Sequence, residues 1–124
     1  MPKTEELRAI VAENPLAPES IELLELLAIS SDTRDEARGI CFRALAQDSE
    51  QHRIRLLLAR LYYLDEMNEF CLRELVELKK KQPHLPELNR LIDSFGVLAS
   101  QHKQTEQTSS PSIEQEVIFA ELDV

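Results

Sequence analysis

Glycine is nearly missing from this chain: of 124 residues only Gly39 and Gly96 lack a side chain. A loop that cradles a phosphate needs several backbone amides unobstructed by Cβ atoms, and two isolated glycines cannot supply one. Neither a G-x-S-x-G nor an H-E-x-x-H sequence occurs, so the common hydrolase signatures have no foothold. β-Branched residues are scarce and never alternate over a useful stretch, which leaves little to build a sheet from. Cysteine is limited to Cys41 and Cys71, which have no C-x-x-C spacing. Two such thiols, behind an N-terminus with no secretory pattern, read as reduced residues of a cytoplasmic protein. No apolar run approaches the roughly 20 residues of a membrane-spanning helix.

Basic charge is also short, with 14 Lys and Arg against 23 Asp and Glu for a formal net charge of −9. Residues 1–50 hold five basic and eleven acidic side chains, giving −6; residues 51–100 hold eight and seven, giving +1; residues 101–124 hold one and five, giving −4. A general nucleic-acid binder needs a net basic footprint, and an acidic surface is repelled by anionic membranes. Neither partner is expected.

What remains is helix-forming material. Leu, Glu, Ala and Arg fill most of the first hundred positions, and the length suits one domain with a modest core. The expected class is all-α. Four of the six prolines form two P-x-x-P pairs, Pro15 with Pro18 and Pro83 with Pro86, separated by twice thirty-four residues. Between them the chain reads as two helical units, over 18–51 and 52–85. The first unit places Ile21, Leu24, Leu27 and Ala28 on one helix and Ala37, Ile40, Cys41, Ala44 and Leu45 on the next. Thr33 and Glu36 between them have the spacing of a capping box. The second unit places Leu58, Ala59, Leu61 and Tyr62, then Cys71, Leu75 and Leu78. A step of thirty-four pairs Leu24 with Leu58, Leu27 with Leu61, Ala37 with Cys71, and Cys41 with Leu75.

LLLARLYY at 56–63, NEFC at 68–71 and DEARGICFRAL at 35–45 carry a family likeness. In these stretches the chain resembles the tetratricopeptide repeat (TPR), a 34-residue helix-turn-helix with small residues at fixed offsets. It departs from that pattern at Glu25 (usually Gly or Ala), Arg55 (often Trp), Ser49 (the closing Pro) and Leu78 (usually small). The resemblance covers residues 3–100. It implies antiparallel helix pairs stacked as a short right-handed array, with 3–13 a partial unit and 86–101 a terminal cap. A plain helical bundle is the competing arrangement. The implied division is a TPR-like domain over 1–101, a flexible linker over 102–112, and an acidic amphipathic tail over 113–124.

The resemblance further implies a concave groove lined by the first helix of each pair. Carried over by register, its positions are Glu19, Glu22, Leu26 and Ile29, then Arg53, Leu56, Arg60 and Tyr63, then Glu87 and Arg90. Leu23, Leu57 and Leu91 stand where a chaperone-binding carboxylate clamp needs polar groups, so that ligand is not expected. Arg53, Arg60 and Arg90 beside Leu56 and Tyr63 suit an acidic amphipathic protein segment; as surface residues they also serve simply to balance nearby Glu.

The search for chemistry ends without a candidate. His52, His84 and His102 lack metal-ligand spacing and read as exposed polar joints. Cys41 and Cys71 read as small core hydrophobes, the acid pairs as helix-dipole partners, and Lys79–Lys81 as a basic last turn. No enzyme activity, cofactor or metal is expected. The tail SIEQEVIFAELDV offers Ser112 with Gln115 as a capping box and a stripe of Ile113, Val117 and Ala120, joined by Ile118 and Leu122. A lone short helix cannot bury such a stripe, so the tail must pack on this domain, a second copy or a partner. Its four acids and the basic middle of the groove point to docking there. The leading expectation is a non-enzymatic adaptor for peptides or helices; the alternative is a helical oligomerisation or regulatory module of a larger assembly, pairing as a homodimer.

Overall fold

The computed structural model describes the backbone of residues 2–105 and 113–122, with side chains over 3–95 and 115–122. These residues form seven α-helices and no strand: α1 (Pro2–Glu13), α2 (Glu19–Leu27), α3 (Arg34–Gln47), α4 (His52–Leu64), α5 (Asn68–Lys81), α6 (Pro86–Thr105) and α7 (Ile113–Glu121). A 3₁₀ turn over Ser31–Thr33 precedes α3. The all-α class is as expected. None of the described helices is long and apolar enough to cross a membrane.

The prolines set the boundaries. Pro18 caps α2 with φ −58°, and Pro86 is the first residue of α6, positions where the missing amide costs nothing. The other two follow helix ends, since α1 stops at Glu13 and α5 at Lys81. Two boundaries differ from expectation. Helix α6 continues through 102–105, into the stretch read as linker; residues 106–112 lie outside those described. Thr33 forms no capping box: its hydroxyl donates to the carbonyls of Leu27 and Ser30, at 2.5 and 3.1 Å. Glu36 is drawn away to Arg8 of α1, which reaches it through two nitrogens at 2.8 and 3.1 Å. Helices α3 and α5 begin at Arg34 and Asn68 and end at Gln47 and Lys81, each pair thirty-four residues apart.

Successive helices pack on one another, and α2 also touches α4. Helix α4 lies at the centre because it is apolar nearly all round: Ile54, Leu56 to Ala59 and Leu61 to Tyr63 are all buried. Leu24, Cys71 and Leu75 join them from α2 and α5, so the core positions expected from the repeat register are buried together. Both cysteines are free and buried. Burial, aided by Glu74, pushes the Cys41 thiol up to about 12 and raises that of Cys71 too, so both stay protonated and inert.

Arginine–carboxylate contacts tie the helix ends together. Arg34 donates from Nε to the Ala28 carbonyl at 2.8 Å and from Nη1 to Asp65 at 2.8 Å, joining the end of α2 to that of α4. Arg38 holds the other Asp65 oxygen at 2.5 Å and lies over the Tyr62 ring at 5.7 Å. Arg55 of α4 pairs with Glu74 of α5 at 2.9 Å, both largely covered. None of these partnerships is visible in the one-dimensional pattern.

The α4–α5 turn carries one unfavourable residue. Glu66 has φ 61°, and Met67 N–H reaches the Tyr62 carbonyl at 2.9 Å while Glu66 N–H reaches Tyr63 at 3.0 Å. This is the Schellman closure, whose left-handed position favours glycine. Glu66→Gly is therefore expected to raise the unfolding free energy by about 0.5–1 kcal/mol, read as a higher urea midpoint at unchanged slope. A fall in the midpoint would show that the Glu66 side chain stabilises the turn by more than its backbone strain costs.

Candidate helix-binding face

Tyr63, at the C-terminal end of α4, is the hub of the site. Its ring meets Phe95 of α6 edge-on, with centroids 5.9 Å apart, and Phe119 of α7 at a 41° tilt and 5.0 Å. Such offset and edge contacts suit the ring quadrupoles. Burial and then the nearby Glu116 raise the phenol above its ordinary value, so it stays protonated. Leu56 is only 3% exposed and Tyr63 only 1%. With α7 in place both are covered, as part of the core to which α7 contributes.

Helix α7 spans nine residues, a length that is marginal for an isolated helix in water, so its packing stabilises it. Gln115, Ile118, Phe119 and Leu122 are buried, at the i, i+3, i+4, i+7 spacing of one helical face. The amide of Gln115 donates to Ser94 Oγ at 3.1 Å, and that hydroxyl donates to the Leu91 carbonyl at 2.6 Å. At the other end Arg53 Nη1 donates to the Leu122 carbonyl at 3.4 Å, placing a cation at the helix C-terminus where the dipole favours it. Arg60 lies 4.0 Å from Glu116, and Arg53 lies 3.7 Å from Glu25 of α2.

The buried face is rotated from the expected stripe. Val117 and Ala120 are exposed, while Phe119, left out of that stripe, supplies the aromatic contact. An aromatic receiving surface rewards the largest apolar side chain, and the 115-118-119-122 spacing was the signal available in the sequence. The side chain of Ile113 and all of Ser112 lie outside the described residues; Gln115 itself serves Ser94.

A cleft of about 410 Å³ remains beside α7, lined by Leu56, Leu57, Arg53 and Arg60 of α4 and by Phe119 and Ala120. Glu25 and Glu116 also border it. The other expected groove residues are more scattered. Leu26 is 37% and Ile29 76% exposed on α2, and Arg90 is exposed on α6; none of the three borders that cleft. Glu22 is turned toward α1, 2.7 Å from Lys3. Leu23, Leu57 and Leu91 are core residues.

Elsewhere, His52 is half-buried rather than exposed, with Nε2 3.6 Å from Glu50, while His84 is exposed and the side chain of His102 lies outside the description. Lys81 pairs with Glu50 at 2.8 Å. A second cleft of about 430 Å³, between α1 and α3, is flanked by Arg8 and Arg43 above Val11 and Ile40. Among the described residues no group of His, Cys, Asp and Glu is placed to hold a metal ion. No protein-family model, curated protein or solved structure matches the chain.

Proposed function

We propose that the protein is a non-enzymatic interaction adaptor of TPR-like build, whose α4–α6 face receives an acidic amphipathic helix from a protein partner. The observation that carries this reading is α7 itself: a short acidic helix lies on that face, anchored by Phe119 on Tyr63 and flanked by Arg53 and Arg60. Apolar contact supplies most of the affinity and the two arginines orient the helix, a division typical of helix-in-groove recognition. The thirty-four-residue recurrence of α3 and α5 supports the stacked-repeat arrangement. Protonated, buried thiols are compatible with a cytoplasmic setting. In this reading α7 is a tethered occupant that a partner displaces. The same contacts made by α7 of a second copy would give the alternative, a homodimer.

A labelled peptide of residues 113–124 tests the reading. It should bind the full chain saturably, and bind the full-length double variant Ile118→Ser/Phe119→Ser about tenfold more tightly, because that variant's own tail no longer competes. A tether holds α7 at a local concentration of about millimolar, enough for suppression of this size. Raising salt should weaken the peptide without abolishing its binding. Equal affinity for both chains, or none for either, would remove the α4–α6 face as a receptor for helices in trans.

A further inference from the structure

The cleft beside α7 is an open groove along the edge of its contact with α4. Gln115, Ile118, Phe119 and Leu122 are each buried, yet Ala120 borders about 410 Å³ of open space over Leu56 and Leu57. The cleft's volume falls within the roughly 300–1,000 Å³ range of clefts that hold small ligands. It has room for a whole side chain where α7 offers a methyl group. Its flanks are cationic: Arg53 is 3.7 Å from Glu25 and donates to the Leu122 carbonyl at 3.4 Å, and Arg60 is 4.0 Å from Glu116. Guanidinium groups so placed can lie against an aromatic ring and gain cation–π attraction.

Exchange imposes a further requirement. With α7 tethered at about millimolar effective concentration, a partner present at about micromolar must bind roughly a thousandfold more tightly to displace it. Contacts that α7 does not make must contribute, and the cleft is where α7 leaves contact unmade.

We infer that the partner helix carries a large aromatic residue at the place α7 gives to Ala120, filling the cleft between Arg53 and Arg60, and that α7 is a deliberately weak stand-in for it. This rests on the α4–α6 face being a receptor in trans, as proposed above. The recognised helix then has an amide side chain at the position of Gln115, an acid at Glu116, apolar residues at Ile118, Phe119 and Leu122, and an aromatic at Ala120. The partner is a protein segment of that composition.

The chain has no tryptophan, so a single one reports its own surroundings. Ala120→Trp in the full chain should emit at shorter wavelength than Val117→Trp, which places the same ring on the exposed side of α7, and should melt a few degrees above the unsubstituted chain. Emission as red as that of Val117→Trp, with no rise in melting temperature, would overturn the inference without any partner being needed. A blue shift that grows with protein concentration would assign the cleft to a second copy's helix and overturn a separate partner. The trans measurement uses 113–124 peptides bearing Ala120→Trp or Val117→Trp, titrated into the full-length Ile118→Ser/Phe119→Ser chain, whose retained helicity is checked by circular dichroism. The Ala120→Trp peptide should bind about tenfold more tightly, as expected for burying most of an indole ring. Equal binding defeats the aromatic subsite but leaves the receptor reading intact; binding by neither peptide defeats the receptor reading itself.

Discussion

Leu58→Ala is expected to lower the unfolding free energy by about 2–5 kcal/mol, the range for truncating a buried leucine. Leu58 lies on the central helix α4 and is 1% exposed. Its loss removes apolar contact and leaves a cavity that α2, α3 and α5, all packed on α4, can only partly close. Those helices are held by Arg34 and Arg38 on Asp65 and by Arg55 on Glu74, which limits how far they can move inward. Denaturant titration at neutral pH measures the change. A loss below about 0.5 kcal/mol would remove Leu58 from the core, and with it the pairing of Leu24 and Leu58 across the two units.

Asp65→Ala should cost roughly 2–4 kcal/mol, somewhat less than breaking a fully buried pair because the carboxylate keeps some exposure. The substitution removes the acceptor that Arg34 and Arg38 share, leaving Arg38 only Asp35 as an acceptor and leaving the ends of α2 and α4 joined only through the Arg34 bonds to the Ala28 and Leu64 carbonyls. Burial by itself would raise the Asp65 pKa, but the hydrogen bonds and charge of Arg38 and Arg34 outweigh it and hold the carboxyl below the ordinary 3.8. A carboxyl depressed in the folded state contributes stability that is complete above its unfolded pKa and is lost as pH falls through the folded one. The difference between wild type and Asp65→Ala should therefore be full near neutrality and shrink below about pH 3.8. Urea midpoints at pH 7 and pH 3 provide the comparison; a gap that stays constant between them would show that the carboxylate charge does not hold the joint.

Much of the architecture was legible along the chain because its causes are local. Pro15, Pro18, Pro83 and Pro86 mark helix boundaries through the geometry of their own rings. The apolar density of LLLARLYYL made α4 a core helix whatever its neighbours. The site was legible in part. Arg53, Arg60, Leu56 and Tyr63 are brought to one face of α4 by helical spacing alone, and α7 does lie against them. Arg90, Leu26 and Ile29 do not join that contact, since their inclusion depended on how whole helices are placed rather than on spacing within one.

By itself the sequence determined the all-α class, the positions of the helix breaks and the burial of the repeat-register residues, all consequences of propensity and period acting over a few residues. Only the tertiary structure decided which face of α7 turns inward, what Gln115 bonds, and that Glu36 belongs to Arg8 rather than to Thr33. Those outcomes are choices among competing partners distant in sequence. Several acceptors lie within reach of each flexible side chain, and the choice is made by where packing holds the helices rather than by any residue's own preference.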